Sequence, residues 1–78
     1  MSNKLKGLTF VVTGILEGFT RNGIGEFITA NGGVISETVN KKTDYLIVGD
    51  KPGASKLNKA QQFGTKIIDL EKLDRMLD

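Results

Sequence analysis

The sequence predicts an α/β domain built on a mostly parallel sheet covered on both faces. Three observations carry that expectation. Strand-like and helix-like segments alternate along all 78 residues. The strand-like runs are apolar throughout rather than alternating, as in sheets buried on both sides. Each helix-like stretch opens near a capping residue or closes on glycine or asparagine, so segment ends are marked locally.

The elements follow in order. Leu8–Thr13 is a short, largely β-branched run and reads as a buried strand ended by Gly14. Glu17-Gly18-Phe19-Thr20 is a connector, with Thr20 placed to cap a helix over about Arg21–Ala30. Phe19 before the cap and Ile24 beyond it fit a hydrophobic staple, and Ile24, Phe27 and Ile28 form one face. Gly23 and Gly25 disfavour that helix by about 1 kcal/mol each relative to alanine. Asn31-Gly32-Gly33 stops it. Val34-Ile35 reads as a second strand, and Asn40–Asp44 is a polar turn leading into a third, Tyr45–Val48, ended by Gly49. After the loop Asp50–Ala54, Ser55 is expected to cap a helix through Phe63, with Gly64 as its stop. Lys66-Ile67-Ile68 is a fourth strand. Asp69 caps a last helix with Leu70, Leu73, Met76 and Leu77 on one face. The order is β-α-β-β-α-β-α.

Length and composition narrow the function. A chain of 78 residues makes one domain with a small stability margin and little room for a large catalytic cleft. There is no cysteine and no histidine, so disulfides, thiolate metal sites and the commonest general base are excluded. No acidic pair has a base or metal partner, and neither a cofactor nor intrinsic catalysis is expected. No run approaches the roughly 18 apolar residues of a membrane span, no signal peptide is visible, and an intracellular location is expected. Net charge is +2, unevenly spread: residues 1–68 hold nine basic and five acidic residues, and 69–78 hold two and four. Tyr45 and the four phenylalanines sit in apolar patterns and are expected in the core. Gly23-Ile24-Gly25 lacks the preceding strand and third glycine of a dinucleotide fingerprint, and Gly49–Ser55 contains no Gly-Lys-Ser/Thr phosphate loop.

One junction stands out on chemistry alone. Thr13-Gly14 ends a buried strand with a hydroxyl and a glycine, at the edge where open α/β sheets collect ligands. A hydroxyl and free N–H groups there suit an anion such as phosphate. Ser55-Lys56, far along the chain, would add positive charge if the fold brings it to that edge.

Specific motifs then occur in a recognisable order. They are an apolar strand ending in Thr13-Gly14, a helix ending in Gly32-Gly33, the run Lys41–Gly49, the run Gly53–Ala60, and Phe63–Asp69. Over residues 4–78 this pattern resembles a BRCT domain. It resembles most the subgroup found in bacterial NAD-dependent DNA ligases and in the large subunit of the clamp loader, replication factor C. Many BRCT domains carry a tryptophan in the last helix. This chain has none, and the subgroup also tends to lack it. Gly23 and Gly25 depart from the acidic and alanine residues usual in the family's first helix.

The resemblance implies a four-stranded parallel sheet flanked by three helices, with residues 1–3 as linker. It implies a non-catalytic DNA-binding module of a replication or repair protein, working in the bacterial cytoplasm or the nucleus. In phosphate-binding members the strand-end threonine, the next glycine's N–H, an arginine opening the first helix and a lysine opening the second contact a 5′ phosphate. Those positions match Thr13, Gly14, Arg21 and Lys56. Lys41, Lys42 and Lys59 would be auxiliary contacts to flanking backbone phosphates. The expected partner is duplex DNA with a 5′-phosphorylated end or nick, and other domains of a parent protein are further candidates. The alternative is a protein-interaction module, with phosphopeptide reading as one form of it; that form in this family generally uses two such domains in tandem.

Overall fold

A computed structural model describes residues 2–78. Residue 1, expected to be linker, lies outside that range. The elements are β1 (Thr9–Thr13), α1 (Arg21–Ala30), β2 (Val34–Ile35), β3 (Tyr45–Val48), α2 (Ala54–Phe63), β4 (Lys66–Ile68) and α3 (Leu70–Met76). The strands form one sheet in the order β2-β1-β3-β4, with every pairing parallel.

The pleat of β1 divides the core in two. Phe10 and Val12 face a cluster with Ile24 and Ile28 of α1, Ile47, Ile68 and Leu73 of α3. Val11 faces the other way, with Val39, Leu46 and Ala60 of α2. Helices α1 and α3 therefore cover one face and α2 the other, because successive side chains of a strand point to opposite faces. Thr13 shares the parity of Val11, which directs it toward α2.

The local stops and starts are chemical. The Gly23 N–H donates to Thr20 Oγ1 at 2.9 Å, which caps α1, and Asp69 Oδ1 accepts the Lys72 N–H at 2.8 Å to cap α3. Phe19 packs on the core that holds Ile24 and meets Phe27 at a ring separation of 5.5 Å. The turn before β3 is tied by its own side chains. Asn40 Oδ1 accepts the Lys42 N–H, and the buried Thr43 Oγ1 accepts the Asn40 N–H. The Asp44 carboxylate accepts the Thr9 N–H at 2.7 Å, bracing the first residue of β1.

Three expectations are corrected. Ser55 does not cap α2: Gly53 holds that position and Ser55 lies within the first turn. Phe63 is 37% exposed rather than core: it closes α2, whose buried residue, Ala60, lies a turn earlier. The sheet is not covered on both faces throughout, for Val34, Ile35 and Ile67 on its two edge strands are exposed.

The chain ends meet at the edge from which the strands start. Lys4 Nζ donates to the Leu77 carbonyl, Ser2 Oγ donates to Asn31 Oδ1 at 2.6 Å, and the Lys6 N–H donates to the Asn3 carbonyl. No helix is long and apolar enough to cross a membrane.

Candidate phosphate-binding edge

The central strands β1 and β3 are neighbours whose onward connections diverge. After β1 the chain turns through α1 to β2 on one side, and after β3 it turns through α2 to β4 on the other. Their carboxyl ends thus form a topological switch point, the place where open α/β sheets bind ligands. The residues there are Thr13-Gly14 from β1 and Gly49 from β3.

The edge is closed by backbone contacts. The Gly49 N–H donates to the Thr13 carbonyl at 2.9 Å. Ile15 and Asp50 then exchange a pair of bonds, Ile15 N–H to the Asp50 carbonyl at 2.9 Å and the reverse at 2.8 Å. Such close approach leaves no room for side chains. A Cβ on Gly49 would lie 2.3 Å from the Ile15 carbonyl oxygen. One on Gly14, whose φ is +85°, would lie 2.7 Å from that of Asp50.

Thr13 is buried, at 3% exposure, and its Oγ1 accepts the Gly53 N–H at 2.8 Å. One bond thereby couples the end of β1 to the start of α2. A hydroxyl has one proton to donate and two lone pairs to accept with. Accepting from Gly53 leaves the Thr13 proton free for a further acceptor. Gly53 offers no side-chain cap to α2, and the first turn of α2 carries no acidic residue. The first N–H groups of that helix therefore keep their partial positive charge uncompensated by side chains. No hydrogen bond of the Gly14 N–H occurs among the described residues.

Two cations stand by. Arg21 is the first residue of α1 and is exposed, and Lys56 is the third of α2 and half-buried. Both line one groove. Among the described residues the only ion pair is Arg75 with Glu71, so neither Arg21 nor Lys56 is neutralised by a carboxylate within reach.

The other lysines divide by position. Lys59 lies one turn beyond Lys56 on α2 and extends its face. Lys41 and Lys42 precede β3 and so lie at the opposite end of the strands from Thr13, away from this edge. Lys51 is a further cation, on a segment whose sequence reads only as loop. It follows Asp50 on this edge with φ +54°, a left-handed conformation uncommon for lysine, and it precedes Pro52. Nothing in a lone Asp-Lys-Pro sequence signals that placement.

A four-stranded parallel sheet with two helices on one face and one on the other, and a threonine hydroxyl at its switch point, defines a small α/β module. The chain belongs to the BRCT family: residues 2–77 match the BRCA1 C Terminus (BRCT) domain. It is 50% identical over 76 residues to a DNA ligase of Thermosipho africanus, covering 97% of this chain and 11% of that protein. It is 51% identical over 77 residues to a DNA ligase of Fervidobacterium nodosum, covering 99% of this chain and 11% of that protein. The chain spans about a tenth of the length of these curated relatives. Its fold is similar to that of the BRCT domain from human DNA repair protein REV1. There the TM-score is 0.71 at 20% identity, over 99% of this chain and 76% of that one.

Proposed function

We propose that this BRCT domain is a DNA-binding module of a bacterial-type DNA ligase and that it holds a 5′ phosphate at a DNA end or nick. The observation that carries this reading is the Thr13–Gly53 hydrogen bond, which sets a strand-end hydroxyl against the uncapped start of α2. The DNA ligase relatives support the DNA side of the reading.

The chemistry divides among four residues. The Thr13 hydroxyl donates its remaining proton to a phosphate oxygen, and donation by Gly53 into the same hydroxyl strengthens that bond. The Gly14 N–H donates a second bond. Lys56 supplies a point charge from the first turn of α2, and Arg21 offers a planar fork suited to two phosphate oxygens. Charge-assisted bonds of this kind contribute about 1.5–3 kcal/mol each. Lys59 and Lys51 flank the site and meet neighbouring backbone phosphates. Lys41 and Lys42 lie more than a strand length away and reach only a separate stretch of backbone.

No step of catalysis falls to this domain in the reading. It binds and positions an end, and any sealing belongs to a larger protein. The test is affinity for a duplex with and without a 5′ phosphate at two salt concentrations. Tighter binding of the phosphorylated end, persisting at the higher salt, supports the site. Equal affinity for both ends reduces the edge to a general basic surface and brings the protein-interaction reading forward.

A further inference from the structure

Helix α1 contains two glycines in ten residues, both less favourable there than alanine. Their surroundings differ. A Cβ on Gly23 would stand 2.9 Å from Thr20 Oγ1, the atom that caps the Gly23 N–H, so a bare position serves the cap. A Cβ on Gly25 would meet nothing closer than Ile35 Cγ2 at 3.7 Å, an ordinary contact. Alanine fits at Gly25, and the fold gains nothing from its absence. Gly25 forms part of one wall of a groove of about 1070 Å³ between α1 and the chain that follows β2. Arg21 and Lys56 line this groove together with Ile35, Glu26 and Glu37.

We infer that this groove takes the 5′-terminal nucleoside of the strand whose phosphate is held at Thr13 and Lys56, with its base against Gly25 and Ile35. The inference rests on the phosphate reading given above. Three features select the occupant. Arg21 and Lys56, the two cations assigned to the phosphate, also line the groove, so the occupant is joined to a phosphate by a short tether. Glu26 and Glu37 repel a second phosphate, so the strand leaves the groove after one nucleotide. A nucleobase has an apolar face to lay on Gly25 and Ile35, and its exocyclic amino group is a donor that a carboxylate accepts. Cytosine, adenine and guanine carry such a group. Thymine presents a carbonyl there instead and is disfavoured.

The probe is a duplex with one unpaired, 5′-phosphorylated nucleotide, titrated by fluorescence anisotropy. That nucleotide is cytosine, thymine or abasic in turn, each with and without its phosphate. The wild-type domain is expected to bind the cytosine end about tenfold more tightly than the abasic one, with thymine between them. G25L fills the groove and is expected to abolish the base dependence while keeping the phosphate dependence. G25A, which fits the helix, verifies that the position tolerates a side chain. E37Q is expected to narrow the gap between cytosine and thymine. Phosphate dependence with equal affinity for cytosine and abasic ends overturns this inference and leaves the phosphate reading standing. Loss of phosphate dependence overturns both. The wild-type comparison needs no variant, so misfolding of G25L cannot rescue the inference.

Discussion

The Thr13 hydroxyl accepts the Gly53 N–H at 2.8 Å across forty residues of chain. Thr13→Val removes this acceptor at nearly constant shape and leaves a backbone donor unpaired, at a cost of roughly 1–3 kcal/mol in urea denaturation. It also removes the proton offered to phosphate, so the affinity gap between phosphorylated and plain ends should close. Thr13→Ser should preserve both properties. A valine variant that is stable and still discriminates the phosphate would remove Thr13 from the site.

Lys56→Ala is expected to weaken binding of a 5′-phosphorylated duplex by roughly 10–150-fold, the equivalent of one charge-assisted bond. The slope of log affinity against log salt should fall by about one unit. Lys59→Ala, one turn on, should share the change in slope but affect phosphorylated and plain ends alike. Equal effects from the two substitutions would mean that Lys56 is only another backbone contact.

Lys51 carries an opposite pair of expectations. Its left-handed conformation costs a non-glycine residue about 1–2 kcal/mol. Lys51→Gly should therefore leave stability unchanged or raise it by up to about 1 kcal/mol, and at the same time weaken DNA binding several-fold. A destabilisation above about 1 kcal/mol would show that the lysine side chain supports the loop instead.

Asp44 is a structural acid. Its carboxylate accepts the first N–H of β1, and Asp44→Ala should cost about 1.5–3 kcal/mol in thermal or chemical unfolding. Phosphate discrimination at the far end of the strand should be unaffected once the protein is folded, as checked by anisotropy below the unfolding transition.

Two phenylalanines separate core from surface. Phe10 is fully buried and stacks on Tyr45 at 5.4 Å, so Phe10→Ala should cost roughly 3–5 kcal/mol. Phe63→Ala, at a 37% exposed position, should cost no more than about 1 kcal/mol. Similar losses at both positions would contradict the burial difference.

Those phenylalanines also mark where sequence reading runs out. Periodicity and caps act over a few residues. The extent of α1, the caps Thr20 and Asp69, and the stop at Asn31 were therefore legible, and so was the strand order along the chain. Exposure of Phe63 and Ile67 depends on where a helix end and an edge strand fall relative to the sheet, which no local pattern records. The same holds for Gly53, which stands at the cap position in place of Ser55 and donates its N–H to Thr13 Oγ1, forty residues away. At the candidate edge, family motifs picked out Thr13, Gly14, Arg21 and Lys56. They did not pick out Lys51, whose relevance comes from a backbone angle, or the separation of Lys41 and Lys42 from the rest.

The contact between Lys4 and the Leu77 carbonyl gathers both chain ends at the edge where the strands begin, opposite Thr13 and Lys56. A domain joined to a larger polypeptide through either end is thereby held by its back, with the candidate edge at Thr13 facing outward. Its affinity for a DNA end would then matter less than the concentration at which the tether presents it. Linker length becomes the adjustable quantity. One too short to span the distance to a bound end cancels the second contact, and one of matching length turns a weak site into millimolar local supply.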